Sequence, residues 1–233
     1  MLYPTCMTDD QWQVVSQLFH AFGYSDAGRK HPIRLIVDAI FYVVDNGIKW
    51  RGLPNDFPPW KTVYHHFNRW SREQIWESLN LNLVEITREK AGRERSPSLV
   101  SVDSQSLTAE PGVWGRGLDC NKKVNGRKRH IAVDVMGMLL SCVVMSANQH
   151  DRHAGEVITA QLNDDENFPR LEKILGDKAY RDVGISCRVP ASIEADCRKE
   201  GEKGFVPQAF RWVVERSFAW LNRQRRLVRN YEK

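Results

Sequence analysis

Leu99-Val100-Ser101-Val102-Asp103-Ser104 marks the point where the chain changes character. Its apolar residues predict a buried strand, and a single carboxylate, Asp103, interrupts them. A carboxylate in that setting is costly to bury unless it is paired or bound to a metal. Downstream, Arg129–Val135 and Met138–Met145 predict two more strands, joined by a hairpin at Met136-Gly137. Asp151–Leu162 predicts a helix, and Lys173-Ile174-Leu175-Gly176-Asp177 a short buried strand that ends on a second carboxylate. Cys187–Ile193 is a candidate strand. Val206–Arg226 predicts a long helix with Phe210, Val213, Val214, Phe218 and Leu221 on its apolar side. The order after residue 98 is therefore β-β-β-α-β-(α)-β-α, a mixed α/β pattern.

Upstream the periodicity is helical. Thr8-Asp9-Asp10-Gln11 fits a capping box ahead of Trp12, Val15, Leu18 and Phe19. Pro32 opens a second helix with a stripe of Ile33, Ile36, Val37, Ile40, Phe41 and Val44, and Asn46-Gly47 closes it. A third helix starts near Thr62. It buries Val63, Phe67 and Trp70 and shows Tyr64, His65, Asn68, Arg69 and Arg72 on its other face. A fourth carries Ile75, Trp76, Leu79, Leu83 and Ile86. The aperiodic stretch Ala91–Pro97 reads as a linker. The domains expected are a helical unit over 1–90, the linker 91–97, and a mixed α/β unit over 98–233.

Composition narrows the class. With 42% hydrophobic and 27% charged residues the chain is globular rather than disordered or fibrous. No apolar run reaches the ~18 residues of a membrane span. Five cysteines without a C-x-x-C pair argue against a disulfide framework or a structural zinc site, and point to a reducing cytoplasm. The formal net charge is +5, and all of that excess lies in the last 28 residues, which hold seven basic and two acidic groups. A second basic concentration, Arg116, Lys122, Lys123, Arg127, Lys128 and Arg129, faces only Asp119 between residues 116 and 130. Two basic patches on an otherwise balanced chain suggest a polyanionic partner, most often nucleic acid.

Asp103, Asp177 and Glu215 each have a structural reading. For Glu215 it is an ion pair with Arg211, four residues earlier on a helix. Asp134, inside the second strand, has the same credentials as Asp103. Taken together, carboxylates from two strands and a late helix suit a hard divalent cation such as magnesium. Two such ions about 3.5–4 Å apart serve phosphodiester chemistry. Acids ringed by bases suit a nuclease or a strand-transfer enzyme. His150 and His153 read as a turn and cap ahead of a helix rather than as metal ligands.

Several blocks carry a family resemblance. They are Met7–Trp12, Gly47–Pro54, Asp56–Tyr64, Ser101–Ser106, Gly126–His130, Gly176–Tyr180 and Arg211–Leu221, followed by Arg225-Arg226-Leu227. The chain resembles the bacterial insertion-sequence transposases of the DDE type, specifically the insertion-sequence-five group, over nearly its whole length. The resemblance implies a ribonuclease-H-like catalytic domain behind a small all-helical domain. It implies Asp103, Asp177 and Glu215 as the catalytic, metal-binding triad, with two Mg2+ or Mn2+ ions, and leaves Asp134 secondary. It further implies terminal-repeat and target DNA as partners, a homodimer in the synaptic complex, and a place in the cytoplasm at the nucleoid. DNA contacts are expected from Tyr64, His65, Asn68, Arg69 and Arg72, from Lys122, Lys123, Arg127, Lys128 and Arg129, and from Arg211, Arg216, Arg223, Arg225 and Arg226. On a continuous helix Arg226 lies about 16 Å from Glu215. Two departures stand out: Gln208 occupies a position where relatives often have tyrosine, and relatives usually continue past Asn230–Lys233 by a further helix. The alternatives are a nuclease of the same fold and a shortened copy that only binds DNA.

Overall fold

The computed structural model describes residues 3–163, 166–176, 180, 193–195 and 211–231. The chain divides into two compact units, Met1–Leu83 with Arg223–Leu227, and Val84–Asn222 with Val228–Lys233.

The first unit is helical. Helix α1 (Asp9–Ala21) starts on the capping box: Gln11 N–H donates to Thr8 Oγ1 at 3.2 Å, and Gln11 Oε1 accepts from Thr8 N–H at 2.9 Å. Helix α2 (Ile33–Asn46) follows Pro32 and ends at Gly47, whose φ of +67° is the left-handed conformation that glycine adopts without strain. Helix α3 (Trp60–Arg72) starts two residues before the predicted Thr62, directly after Pro59. The core gathers Phe19, Ile36, Val43, Val63 and Trp70, all essentially inaccessible. The Trp70 ring lies 5.0 Å from that of Phe19 and 5.8 Å, edge-on, from that of Tyr24. Large rings of this kind let a small helical unit bury enough area to hold together. Buried Asp38 accepts from Met7 N–H at 2.9 Å and ties the N-terminal segment to α2. Helix α4 (Ile75–Lys90) runs from this unit into the next.

The second unit is built on one sheet. Strand β1 (Leu99–Thr108) lies at its centre, antiparallel to β3 (Val124–Asp134) and parallel to β5 (Lys173–Gly176). Strand β6 (Ile193–Ala195) continues the parallel side. Strands β2 (Gly117–Asp119) and β4 (Leu139–Ser146) both pair with β3, along the edge away from β1. The β1–β5 register is constant: Leu99 lies opposite Lys173, Val100 opposite Ile174 and Ser101 opposite Leu175. Helix α5 (Asp151–Leu162) packs on β4 and β3, and α6 (Arg211–Leu221) packs on β1 and β3. Antiparallel strands followed by parallel ones, with helices on the sheet, give this unit a ribonuclease-H-like fold.

Two boundaries differ from the periodicity. Strand β3 begins at Val124, not Arg129, so Lys128 and Arg129 lie within the strand rather than ahead of it. The basic run hides the strand pattern, and pairing with Ser106, Leu107 and Thr108 of β1 overrides it. Helix α6 ends at Leu221, so Arg226 is not on the same helix as Glu215 and the 16 Å spacing does not hold. After Leu221 the apolar stripe stops for five polar residues, and a separate 3-10 turn, Arg225–Leu227, follows. The short strand β2, which falls between the first two predicted strands in sequence, also joins the sheet, at the edge of β3 away from β1.

Candidate active site

Asp103 stands opposite Ile131 in the β1–β3 ladder. Directly opposed residues send their side chains to the same face of a sheet. Ile131 and Val133 form a buried cluster with Val213, Val214 and Phe218 of α6. Asp103 therefore belongs to the face that α6 covers, and α6 is the helix that carries Glu215. The Asp103 carboxylate is half-buried and accepts from Ser104 N–H at 2.7 Å, and Glu215 is exposed. Asp177 lies outside the described residues. Among the described residues no three His, Cys, Asp or Glu side chains come together as a metal-holding group.

The basic residues separate into an inner and an outer set. Arg129 is buried on the α6 face: it donates to Gln105 Oε1 and, at 2.8 Å, to Asn222 Oδ1, and its guanidinium lies 5.6 Å from the centre of the Phe218 ring. Lys128 is buried on the opposite face, 2.7 Å from Asp151 and 3.5 Å from Asp119. Ser106 Oγ donates to Asp119 at 2.6 Å, and the amides of Asn121 and Lys122 both donate to its other oxygen at 3.1 Å. Burial alone would raise the Asp119 pKa, but these donors and Lys128 outweigh it and hold the carboxyl at about 2. Lys122 and Lys123 are exposed and Arg127 is half-exposed. Lys122 Nζ reaches the Ser104 carbonyl at 3.1 Å.

Asp134 is inaccessible. It pairs with buried Arg88 of α4 and accepts from the amides of Met136 and Met138, both at 2.9 Å. It closes the hairpin between β3 and β4. His150 caps α5 by accepting from Arg152 N–H at 3.2 Å, as its position before the helix predicts.

On α3, Tyr64, His65, Arg69 and Arg72 are exposed and Asn68 is half-buried. Arg69 pairs with Glu73 at 2.8 Å, and Asn68, Ser71 and Arg72 line an open concavity. On α6, the Arg216 guanidinium sits between the rings of Trp212 and Trp220, at 4.6 and 4.8 Å, and donates to the Met136 carbonyl at 2.8 Å. The backbone of Arg211 opens α6. Arg223 and Arg225 are exposed, while Arg226 donates to the Ile48 carbonyl at 2.7 Å and lies over Trp50. Two features escape periodicity. One is the buried pair formed by His130 and Tyr180, with 2.8 Å between Nδ1 and the hydroxyl; the other is Trp114, which is 83% exposed. A tryptophan between two glycines in a loop is the signal for the second; the first has none in sequence.

Comparison with known families fits this geometry. Residues 7–80 match the family described as "Putative transposase of IS4/5 family", and residues 94–190 match the family described as "Transposase DDE domain". None of the curated proteins matches the chain significantly.

Proposed function

The chain belongs to the insertion-sequence transposases of the DDE type, in the IS4/5 group, and from that premise we propose that it cuts the phosphodiester backbone at the ends of its element and joins those ends to target DNA. It is an enzyme acting on DNA, from a family that uses divalent metal ions. The finer reading gives Asp103, Asp177 and Glu215 the role of holding two divalent cations, magnesium or manganese.

One observation carries this assignment. The β1–β5 pairing has a constant separation of 74 residues, from Leu99 opposite Lys173 to Ser101 opposite Leu175. Asp103 and Asp177 are separated by the same 74 residues. That match, together with α6 lying on the Asp103 face, supports all three carboxylates serving one centre. The donors are all carboxylate oxygens, which suit a hard cation. Bound there, divalent ions supply the charge that activates an attacking oxygen and stabilises a leaving one. The protein's own groups do the rest. Asp103 is oriented by the Ser104 amide, and Arg129, held by Gln105 and Asn222, keeps a positive charge on the same face as Asp103. Lys122, Lys123 and Arg127 hold the polyanion outside. A homodimer that pairs two element ends completes the proposal.

The test is DNA bearing the cognate ends, incubated with and without magnesium. Asp103→Asn, Asp177→Asn and Glu215→Gln are each expected to abolish cleavage while binding is kept or slightly strengthened, because a negative charge facing phosphate is removed. Near wild-type cleavage by any of the three would remove that residue from the centre.

A further inference from the structure

We propose that Trp114 is a stacking platform for an unpaired base of the DNA substrate. The proposal rests on the DNA-cleaving function argued above and adds a contact to it.

Trp114 lies in the loop between β1 and β2 and is 83% exposed, the highest value among the large hydrophobic side chains described. The loop is not a loose tip. Val113 beside it is buried, and its N–H donates to the Glu110 carbonyl at 3.2 Å. The root is tied to the C-terminal segment of the same unit: Glu110 N–H donates to the Asn230 carbonyl at 2.9 Å, Asn230 N–H donates to the Thr108 carbonyl at 3.0 Å, and Arg229 pairs with Glu110 at 2.6 Å. Gly112 and Gly115, with φ of +84° and +72°, set the turn on either side. A Cβ on Gly115 would lie 2.9 Å from the Arg127 guanidinium, so that cation nests against the loop. The backbone thus fixes a large aromatic ring in solvent, where its hydration is unfavourable unless something covers it.

Charge selects the covering partner. Arg116 lies on the loop, Arg127 nests against it, and Lys122 and Lys123 follow in the turn between β2 and β3, a cationic neighbourhood suited to a polyanion. An aromatic ring set among cations is the arrangement with which proteins stack bases of single-stranded nucleic acid. In duplex DNA the π-faces are already stacked, so the ring's partner is an unpaired base, on a single-stranded overhang or on a strand frayed back from a cut end. Five residues of β1 separate Asp103 from Thr108 at the loop's root, roughly 17 Å. At about 3.4 Å per nucleotide along a strand, the stacked base lies several nucleotides from the cut.

The test compares wild type, Trp114→Ala and Trp114→Phe on two DNAs of one sequence, a blunt duplex and a duplex with an unpaired end. The alanine variant is expected to bind the unpaired-end DNA about 10- to 100-fold more weakly, with the phenylalanine variant close to wild type and duplex affinity unchanged. 2-Aminopurine placed three to eight nucleotides from the cut is expected to be quenched by wild type and not by Trp114→Ala. Equal affinities of wild type and Trp114→Ala for the unpaired-end DNA overturn the proposal, as does an equal loss on both DNAs. A change in sedimentation without a change in DNA affinity overturns it too and assigns the ring to a protein contact. Failure of the wild-type protein to bind either DNA removes the DNA-cleaving reading itself, and this proposal with it.

Discussion

His130 is 1% exposed on β3, and burial pulls its pKa down to about 4. Lys128 and Lys122 push the same way, and Asp151 resists. Folded His130 is therefore neutral through most of the range in which unfolded histidine, near pH 6.5, takes up its proton. Because the folded pKa is depressed, its contribution to stability is complete above pH 6.5 and is lost as pH falls from there toward 4. The loss is on the order of 2–3 kcal/mol. Asp119, held at about 2, contributes in a separate window: its share survives to pH 3.8 and is lost below it. Chemical denaturation at pH 7, 5.5 and 4.5 should show His130→Asn losing less stability with falling pH than wild type, and a parallel fall in the two proteins would remove the assignment. At this scale sequence separates residues poorly. Asp103 and Asp134 look alike in it, each a carboxylate inside an apolar strand. What distinguishes them is Arg88, 46 residues upstream, together with two hairpin amides, and no local pattern announces such partners.

Elements whose signals are local were readable nearly to the residue. Helix α1 has its capping box, α2 its Pro32 start and Gly47 stop, and α5 runs over the predicted Asp151–Leu162. Elements set by tertiary pairing were not. Strand β3 gains five residues by pairing with β1 and β2, and α6 stops where its apolar stripe gives out. Helix α3 is the element whose exposed face has a function to test. Arg69 is engaged by Glu73, so the residues best placed to meet DNA are Asn68 and Arg72, which line the same concavity. Helix side chains at such positions contact phosphates and base edges. The double variant Asn68→Ala, Arg72→Ala should lose protection of the terminal repeat in footprinting, with affinity lowered roughly 10- to 100-fold, each contact being worth about 1–3 kcal/mol. Unchanged protection would assign α3 to packing or to contact between subunits.

Across the whole molecule, charge that looks uniform along the chain divides into cations that hold the protein together and cations that face solvent. Lys128 is consumed by Asp151 and Asp119, and Arg129 by Gln105 and Asn222. Arg226 braces the helical unit through Ile48 and Trp50. Lys123, Arg223 and Arg225 are exposed, and so is Lys122, whose Nζ also reaches the Ser104 carbonyl. Only charges that neutralise phosphates release counterions, so only they set the slope of log affinity against log salt, at roughly 0.9 per contact on duplex DNA. Lys122→Ala, Lys123→Ala and, separately, Arg223→Ala, Arg225→Ala should each flatten that slope by up to about 1.8 and weaken binding equally for every DNA sequence. Cleavage at saturating protein should fall far less than in the carboxylate variants. Arg226→Ala should leave the slope unchanged and lower Tm instead, because it removes a guanidinium that bonds a backbone carbonyl and stacks on an indole. A salt titration of affinity, with thermal unfolding in parallel, separates the two classes. If Arg226→Ala flattened the slope as much as the exposed pairs do, the division into bracing and binding cations would be wrong. If neither exposed pair changed it, the charge argument for a nucleic-acid partner would fail, and the DNA-binding assignment would rest on the family match alone.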